Sequence, residues 1–332
     1  MKKVNDIIGI DISKLTFDAY CYAANQHQRF DNTINGFTSF LKWVKANVKA
    51  PFVEMLVVME HTGLYSYRLE QYLASKNIDF TKRSPLDIRR SSGILRGKTD
   101  KADASTSARY GWQKRDELQP QHPEEDYHLK LRNLMAHREL LVNQAAAHKA
   151  SMTEMQHQLG KEVQAFIVKS SEHIIATMEK SIEAREKQIK ALIASHEEVQ
   201  QNYTLLTSVK GIGFVTAAYM ILYTDNFKSF DDPRKFNSYC GIAPFEYGSG
   251  TSIKGKTKVS HLANKKMKSL LHQAAIIAAV HDPEIKAYFI RKKAEGKNKM
   301  TVYNAVRVKL VARMFAVIKR QTPFTLQYSY AA

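Results

Sequence analysis

Short apolar runs alternate with amphipathic segments through the first third of the chain, and this alternation predicts an α/β layer architecture. Residues Ile7–Ile12 and Phe17–Ala23 read as strands joined by a tight turn at Ser13-Lys14, followed by a polar segment and a helix over Gly36–Ala46. Phe52–Glu60 contains the run MLVVME, apolar until its last residue, which is the pattern of a central strand covered on both faces. Leu64–Ser75 then reads as a helix and Ile78–Lys82 as a further strand, and Pro85 opens a long segment of helical character.

The pattern changes at Gln119–Pro123, a polar stretch with two prolines that marks a boundary. Beyond it Tyr127, Leu131, Leu134, Leu141, Ala145, Met152, Met155 and Leu159 follow a heptad interrupted by Arg138 and His148, and a second register runs through Ile175, Met178, Ile182, Ile189 and Leu192. Two long helices follow, either an antiparallel helical pair or a coiled-coil dimer. The last third begins with the apolar helical pattern Leu205–Tyr223, broken by Lys210-Gly211-Ile212-Gly213. It passes through the glycine-rich stretch Gly241–Gly255 and ends in basic helices that include Thr301–Arg320. The expected organisation is α/β plus all-α, with an α/β domain over 1–122, a helical region over 123–204 and a mostly helical domain over 205–332.

Charge sharpens this division. The 332 residues carry a formal charge of +18, which favours a polyanionic partner. The excess is local: residues 126–205 hold 10 basic and 10 acidic side chains, whereas residues 206–332 hold 21 and 7. The final third is therefore the expected electrostatic footprint. With only Cys21 and Cys240, far apart, there is neither a disulfide framework nor a cysteine cluster for zinc, and a reducing cytoplasm fits best. The first apolar run is interrupted by Asp11, so it is neither a signal segment nor a membrane span, and no membrane partner is expected.

Asp11 lies between Ile10 and Ile12 in a strand, where an ionised carboxylate is costly unless a cation compensates it. Glu60 ends a second buried strand, and strand ends are where α/β sheets assemble their sites. Asp100 and Asp103 are three residues apart and share one helical face. Taken singly, Asp11 suits a turn, Glu60 a cap of the next helix, and Thr99 or Asp100 an N-cap. Taken together, four converging carboxylates call for hard divalent cations such as Mg²⁺, and two metals about 4 Å apart suit in-line phosphodiester displacement. The hairpin around Gly9-Ile10-Asp11 also has the look of the phosphate hairpin of actin-like and sugar kinases, but the second glycine-rich hairpin and adenosine motif of those proteins are missing. Lys210-Gly211-Ile212-Gly213 reads either as a plain turn or as the hairpin of a helix-hairpin-helix element, whose backbone N–H groups hold a phosphate. Lys254, Lys256 and Lys258, then Lys265, Lys266 and Lys268, form basic clusters for a nucleic-acid backbone, or else a solvated face.

Asp11 in GIDISK, Glu60 in MEHTGLY and the pair in KTDKADA resemble the motifs of Piv-type transposases and DNA invertases of the one-hundred-and-ten family of insertion sequences, which are bridge-RNA-guided recombinases. The resemblance covers nearly the whole chain. It implies a RuvC-like nuclease domain, a coiled-coil dimerisation region and a C-terminal transposase domain. It further implies Mg²⁺ at the four acids, two ions per site, and a serine nucleophile in the stretch GIAPFEYGSGTS. The family pattern selects Ser249, with Ser252 as the fallback; by its neighbours alone, a serine between two glycines is a flexible turn. The partners implied are double-stranded donor and target DNA, a non-coding guide RNA, and a second copy of the chain, as a dimer or as a tetramer on nucleic acid. Because Ser249 and the acids fall in different domains, a composite site between subunits is the expectation. The chain departs from the family pattern at Lys210, where proline is common, and at His261 and Ala263, near which lysine and glycine are common.

Overall fold

The computed structural model describes residues 4–61, 63–93, 99–155, 161–246, 248–249, 253–255 and 257–325. The chain divides into two compact units, Met1–Glu125 and Asp126–Ala332.

The N-terminal unit is a five-stranded sheet with helices. Strands β1 (Asp6–Ile12), β2 (Thr16–Cys21) and β3 (Gln26–Asp31) form an antiparallel meander. After α1 (Ile34–Asn47), β4 (Met55–Glu60) pairs parallel with β1, and after α2 (Tyr67–Ser75), β5 (Asp79–Arg83) pairs parallel with β4. The spatial order is β3-β2-β1-β4-β5, which fits the RuvC-like expectation. Two further helices, α3 (Pro85–Ser91) and α4 (Asp100–Gln113), complete the unit.

The two faces of the sheet are filled differently. Ile8, Ile10 and Ile12 alternate onto one face with Phe17, Phe37, Phe40 and Met59. Ile7, Leu56 and Val58 face the other way, where Ala108 of α4 covers them. Side chains on successive strand residues point to opposite faces, so Gly9, Asp11 and Glu60 share this second face. Local caps start the helices: the side chains of Thr33, Ser84 and Thr99 accept from backbone N–H groups of α1, α3 and α4.

Three elements differ from expectation. The polar segment after β2 is the edge strand β3, of whose residues only Phe30 is buried; an edge strand with one covered side chain has no apolar alternation to display. The strand expected from Phe52 starts at Met55, because Phe52–Glu54 form one 3-10 turn after Pro51. The helix expected from Leu64 starts at Tyr67, after Gly63 at a φ of +75° has reversed the chain.

In the C-terminal unit, α5 (Asp126–Met155) and α6 (Lys161–Ala194) run antiparallel within the one chain. Arg138 meets Glu186 at 2.7 Å and Lys149 meets Glu179 at 2.7 Å, so the polar interruption at Arg138 is an inter-helix ion pair. Tyr127, Leu131, Met135, Ile189 and Ile193 enter the same core as Leu206, Met220, Leu271 and Met314. The base of the helical pair thus belongs to one unit with the final third instead of standing apart from it. The side chains of Met155 and Leu159, at the outer end of the heptad, lie outside the described residues. The rest of the unit comprises α7 (Glu197–Ser208), α8 (Phe214–Thr224), α9 (Pro233–Tyr239), α10 (Lys265–His281), α11 (Pro283–Ala294) and α12 (Lys299–Arg320). Between α9 and α10 two short antiparallel ladders nest, β6 (Pro244–Phe245) with β9 (Lys258–Val259) and β7 (Gly248–Ser249) with β8 (Ile253–Lys254). Among the described residues, no helix is long and apolar enough to cross a membrane.

Candidate active site

Backbone packing brings the four acids of the N-terminal unit to one place. A Cβ added at Gly9 would collide with the Ala104 carbonyl and the Ala108 amide, so glycine lets α4 lie directly on β1. At Gly111 a Cβ would come within 2.8 Å of Ile7. The helix therefore descends over Ile7, then Gly9, and its first turn, bearing Asp100 and Asp103, arrives beside Asp11. On β4 the covered residues Leu56 and Val58 give way to Glu60 at the strand end. The apolar layer under α4 thus ends in carboxylates.

The sheet extends this row. Asp11 pairs in register with Asp18, Asp18 with Arg29, and Glu60 with Arg83. Reading across the five strands from β3, the row is Arg29, Asp18, Asp11, Glu60 and Arg83. Asp18 is 3% exposed and receives His27 at 2.6 Å and Arg29 Nε at 2.9 Å. Arg29 Nη2 also donates to Asp100 Oδ2 at 2.6 Å. Sequence reasoning assigned no role to Asp18 or Arg29; it is the pairing of β3 with β2 that sets Arg29 beside Asp18.

Asp11 is half-buried, and its carboxyl is pushed up to about 6 by burial first, then by the charges of Asp103, Glu60 and Asp100. Both causes disfavour the charged form of Asp11. Among the described residues, no three His, Cys, Asp or Glu side chains form a ready metal cage. The donor set is nonetheless the hard, all-oxygen kind that divalent cations select, and the raised carboxyl of Asp11 fits such an ion. The oxygen donors around that point are Asp11, Glu60, Asp103 and Asp100, the last of which accepts from Arg29.

The C-terminal candidates are placed as follows. Ser249 lies in β7 opposite Ile253. The described backbone puts it near the end of the nested ladders; Ser252 and Lys256 fall outside the described residues, as do the side chains of Ser249 and Lys254. At the base of the ladders, Ser238, Phe245, Glu246, Lys258 and Leu262 line a pocket of about 620 Å³. Lys258 and Lys265 are exposed and Lys268 is half-buried. Lys266 is engaged within the protein: its Nζ donates to Glu139 at 2.7 Å and lies 5.3 Å from the centre of the Tyr219 ring. Its charge is thus largely spent on Glu139. Lys210 is exposed in the turn between α7 and α8, where Gly211 takes a φ of +93° and packs against Ala274 and Ala278 of α10. Gly213 is the N-cap of α8.

Comparison with known proteins returns one family from both ends of the chain. Residues 8–161 match a transposase profile of the DEDD, IS110 type, and residues 203–289 match the transposase IS116/IS110/IS902 family. A pilin gene-inverting protein of Moraxella bovis is 31% identical over 324 residues, covering 96% of this chain and 97% of its own length. The pilin gene-inverting protein of Moraxella lacunata is similar to the same extent, at 31% over 324 residues. A 43.6 kDa protein of insertion element IS110 from Streptomyces coelicolor is 30% identical over 139 residues, covering 42% of this chain and 33% of its own length.

Proposed function

The chain belongs to the IS110 family of transposases, with pilin gene-inverting proteins among its relatives, and from that premise we propose that it cuts and rejoins DNA strands as a transposase or as a site-specific invertase. The observation that carries the reading is the convergence of Glu60, Asp100 and Asp103 on Asp11, whose half-buried carboxyl they help to push up to about 6. Those four side chains would hold Mg²⁺, two ions per site. Divalent cations bound there supply stabilisation of the charge that develops on the attacking and leaving oxygens.

Ser249 is the nucleophile. Its Oγ attacks a DNA phosphorus, the bond from that phosphorus to the leaving sugar oxygen breaks, and the proton lost by the serine hydroxyl ends on the leaving strand. The strand stays attached through a phosphoserine ester. Rejoining reverses the balance: a sugar hydroxyl attacks the same phosphorus, and serine departs with the proton. Lys254, Lys256, Lys258, Lys265 and Lys268, together with the Lys210-Gly211-Ile212-Gly213 turn, hold nucleic-acid backbones, and Lys266 supports them through Glu139. The DNA is double-stranded donor and target, selected by a non-coding guide RNA, and the reaction runs in the cytoplasm. Two copies assemble through the outer part of the α5–α6 pair, where Leu140 and Phe166 are exposed, with a tetramer forming on nucleic acid.

The test is adduct trapping. With DNA substrate and Mg²⁺, the wild type yields a covalent protein–DNA species on a denaturing gel, and Ser249→Ala and Asp11→Asn do not. Cleavage that survives in Ser249→Ala without any adduct replaces the serine by water and makes the protein a RuvC-like junction nuclease. That reading is favoured only by the four acids lying within a single compact unit.

A further inference from the structure

Arg29 stands in the acidic row with no part in the chemistry above. Its strand is the polar edge of the sheet, and Phe30 alone of its residues is buried, so the hydrophobic core does not require a cation at position 29. Yet the guanidinium is held at two points, Nε on Asp18 at 2.9 Å and Nη2 on Asp100 at 2.6 Å.

The two anchors are unequal. The Asp18 side chain is 4% exposed and is also bound by His27, so it is a fixed post whose charge cannot be left without a partner. The Asp100 side chain is 63% exposed in the first turn of α4 and can turn away without exposing anything apolar. An ion pair that open contributes little, whereas a divalent cation binds several hard oxygens at once. A cation bound beside Asp11 would compete with Nη2 for Asp100, and Nε would stay on Asp18. The guanidinium would then stand at the rim of the acids with one edge free, and that planar edge matches a phosphate better than any other group in the substrate.

We propose that Arg29 is a positioning residue that passes from Asp100 to a phosphate of the bound DNA strand when a divalent cation takes Asp100. This rests on the acidic-site reading above. The experiment uses the full chain as Arg29→Gln, with Arg29→Lys as a second variant. Mn²⁺ binding without DNA is followed by electron paramagnetic resonance, and duplex binding in Ca²⁺ is measured across a salt series. Arg29→Gln binds Mn²⁺ several-fold more tightly than wild type, because the competing cation is gone. It binds DNA several-fold more weakly, and its slope of log affinity against log salt is shallower by about one. Arg29→Lys, which keeps the charge but cannot span both carboxylates, falls between them on both readouts. It is judged by the same two criteria if Arg29→Gln loses its thermal transition. Unchanged Mn²⁺ affinity, or an unchanged salt slope, overturns the inference while the acidic site stands. A wild-type protein that binds no Mn²⁺ removes the acidic-site reading and this inference with it.

Discussion

Asp11 in the N-terminal unit and Glu139 in the C-terminal unit are both half-buried carboxylates, and their surroundings push them in opposite directions. Burial and three neighbouring acids raise Asp11 to about 6. Burial also works to raise Glu139, but hydrogen bonds from Lys266 and Tyr219 and the charges of Lys266 and Arg138 outweigh it and hold the group below its ordinary value. Glu139 is compensated within its own unit, by a lysine of the basic cluster. Asp11 instead has acids as its charged neighbours. Carboxylates crowded around Asp11 repel one another, and the close contact of α4 with β1 at Gly9 holds them together.

The largest expected effect follows from that contact. Gly9→Ala places a methyl group against helix backbone, which cannot rotate away as a side chain would, and the expected loss is about 3 kcal/mol or more in urea unfolding. Gly213→Ala is the matching change in the other unit, where a Cβ meets nothing within 4 Å. Its expected loss stays below about 1 kcal/mol, the scale of an N-cap change. Equal losses at the two sites would remove close backbone packing as the reason for glycine at position 9.

A smaller effect, with a sign that distinguishes the two regions, comes from pH. Asp11 has a folded value near 6 against 3.8 for the free side chain, so the fold prefers its protonated form. The stability this contributes is complete below the free value and is lost as pH rises through 6. Asp11→Asn mimics the protonated state. In chelator it should raise the thermal midpoint by a few degrees at pH 7, and the gap should close by about pH 4. Glu139 is the reverse case: its contribution is present above the free value of 4.5 and is lost as pH falls through the lowered folded value. Glu139→Gln should therefore lower the midpoint at pH 7, with the difference shrinking in acid. Differential scanning calorimetry at the two pH values checks both, and midpoints that move the same way at pH 7 break the contrast. Added Mg²⁺ should stabilise the wild type and leave Asp11→Asn unmoved.

The same contrast governs what could be read from the chain. Strand β1 was legible nearly to the residue and β4 at its C-terminal end, because both faces are covered and the apolar runs are continuous, and their acids were legible as the places where those runs break. The pairing of Asp100 and Asp103 followed from helical spacing. Arg29 and Asp18 were not legible, because the register of an edge strand is set by its partner and β3 has no apolar pattern of its own to reveal it. In the C-terminal unit the Lys210-Gly211 turn was visible because Gly211 needs a left-handed backbone. The two ladders around Ser249 were not, since strands of two residues carry no periodicity. That α5 and α6 pair within one chain was left open by their heptads, which serve an intramolecular partner as well as a second copy.

The two cysteines give the smallest effect and the sharpest local report, because one lies in each unit. Cys21 in β2 is pushed up to about 11, chiefly by burial, and its thiol lies 3.6 Å from Asp6. Cys240, after α9, is pushed up to about 12 by burial. Thiolate is the reactive form, so neither should react with iodoacetamide at pH 8 in the folded protein, and both should react in urea. Alkylation during slow exposure then measures the opening of each unit separately. In Gly9→Ala, Cys21 should become reactive well before Cys240, since the displaced helix belongs to the unit that holds Cys21. Mass spectrometry of the alkylated peptides assigns the order. If Cys240 opens first or the two open together, the damage at Gly9 is not confined to the N-terminal unit, and the independence of the two regions fails.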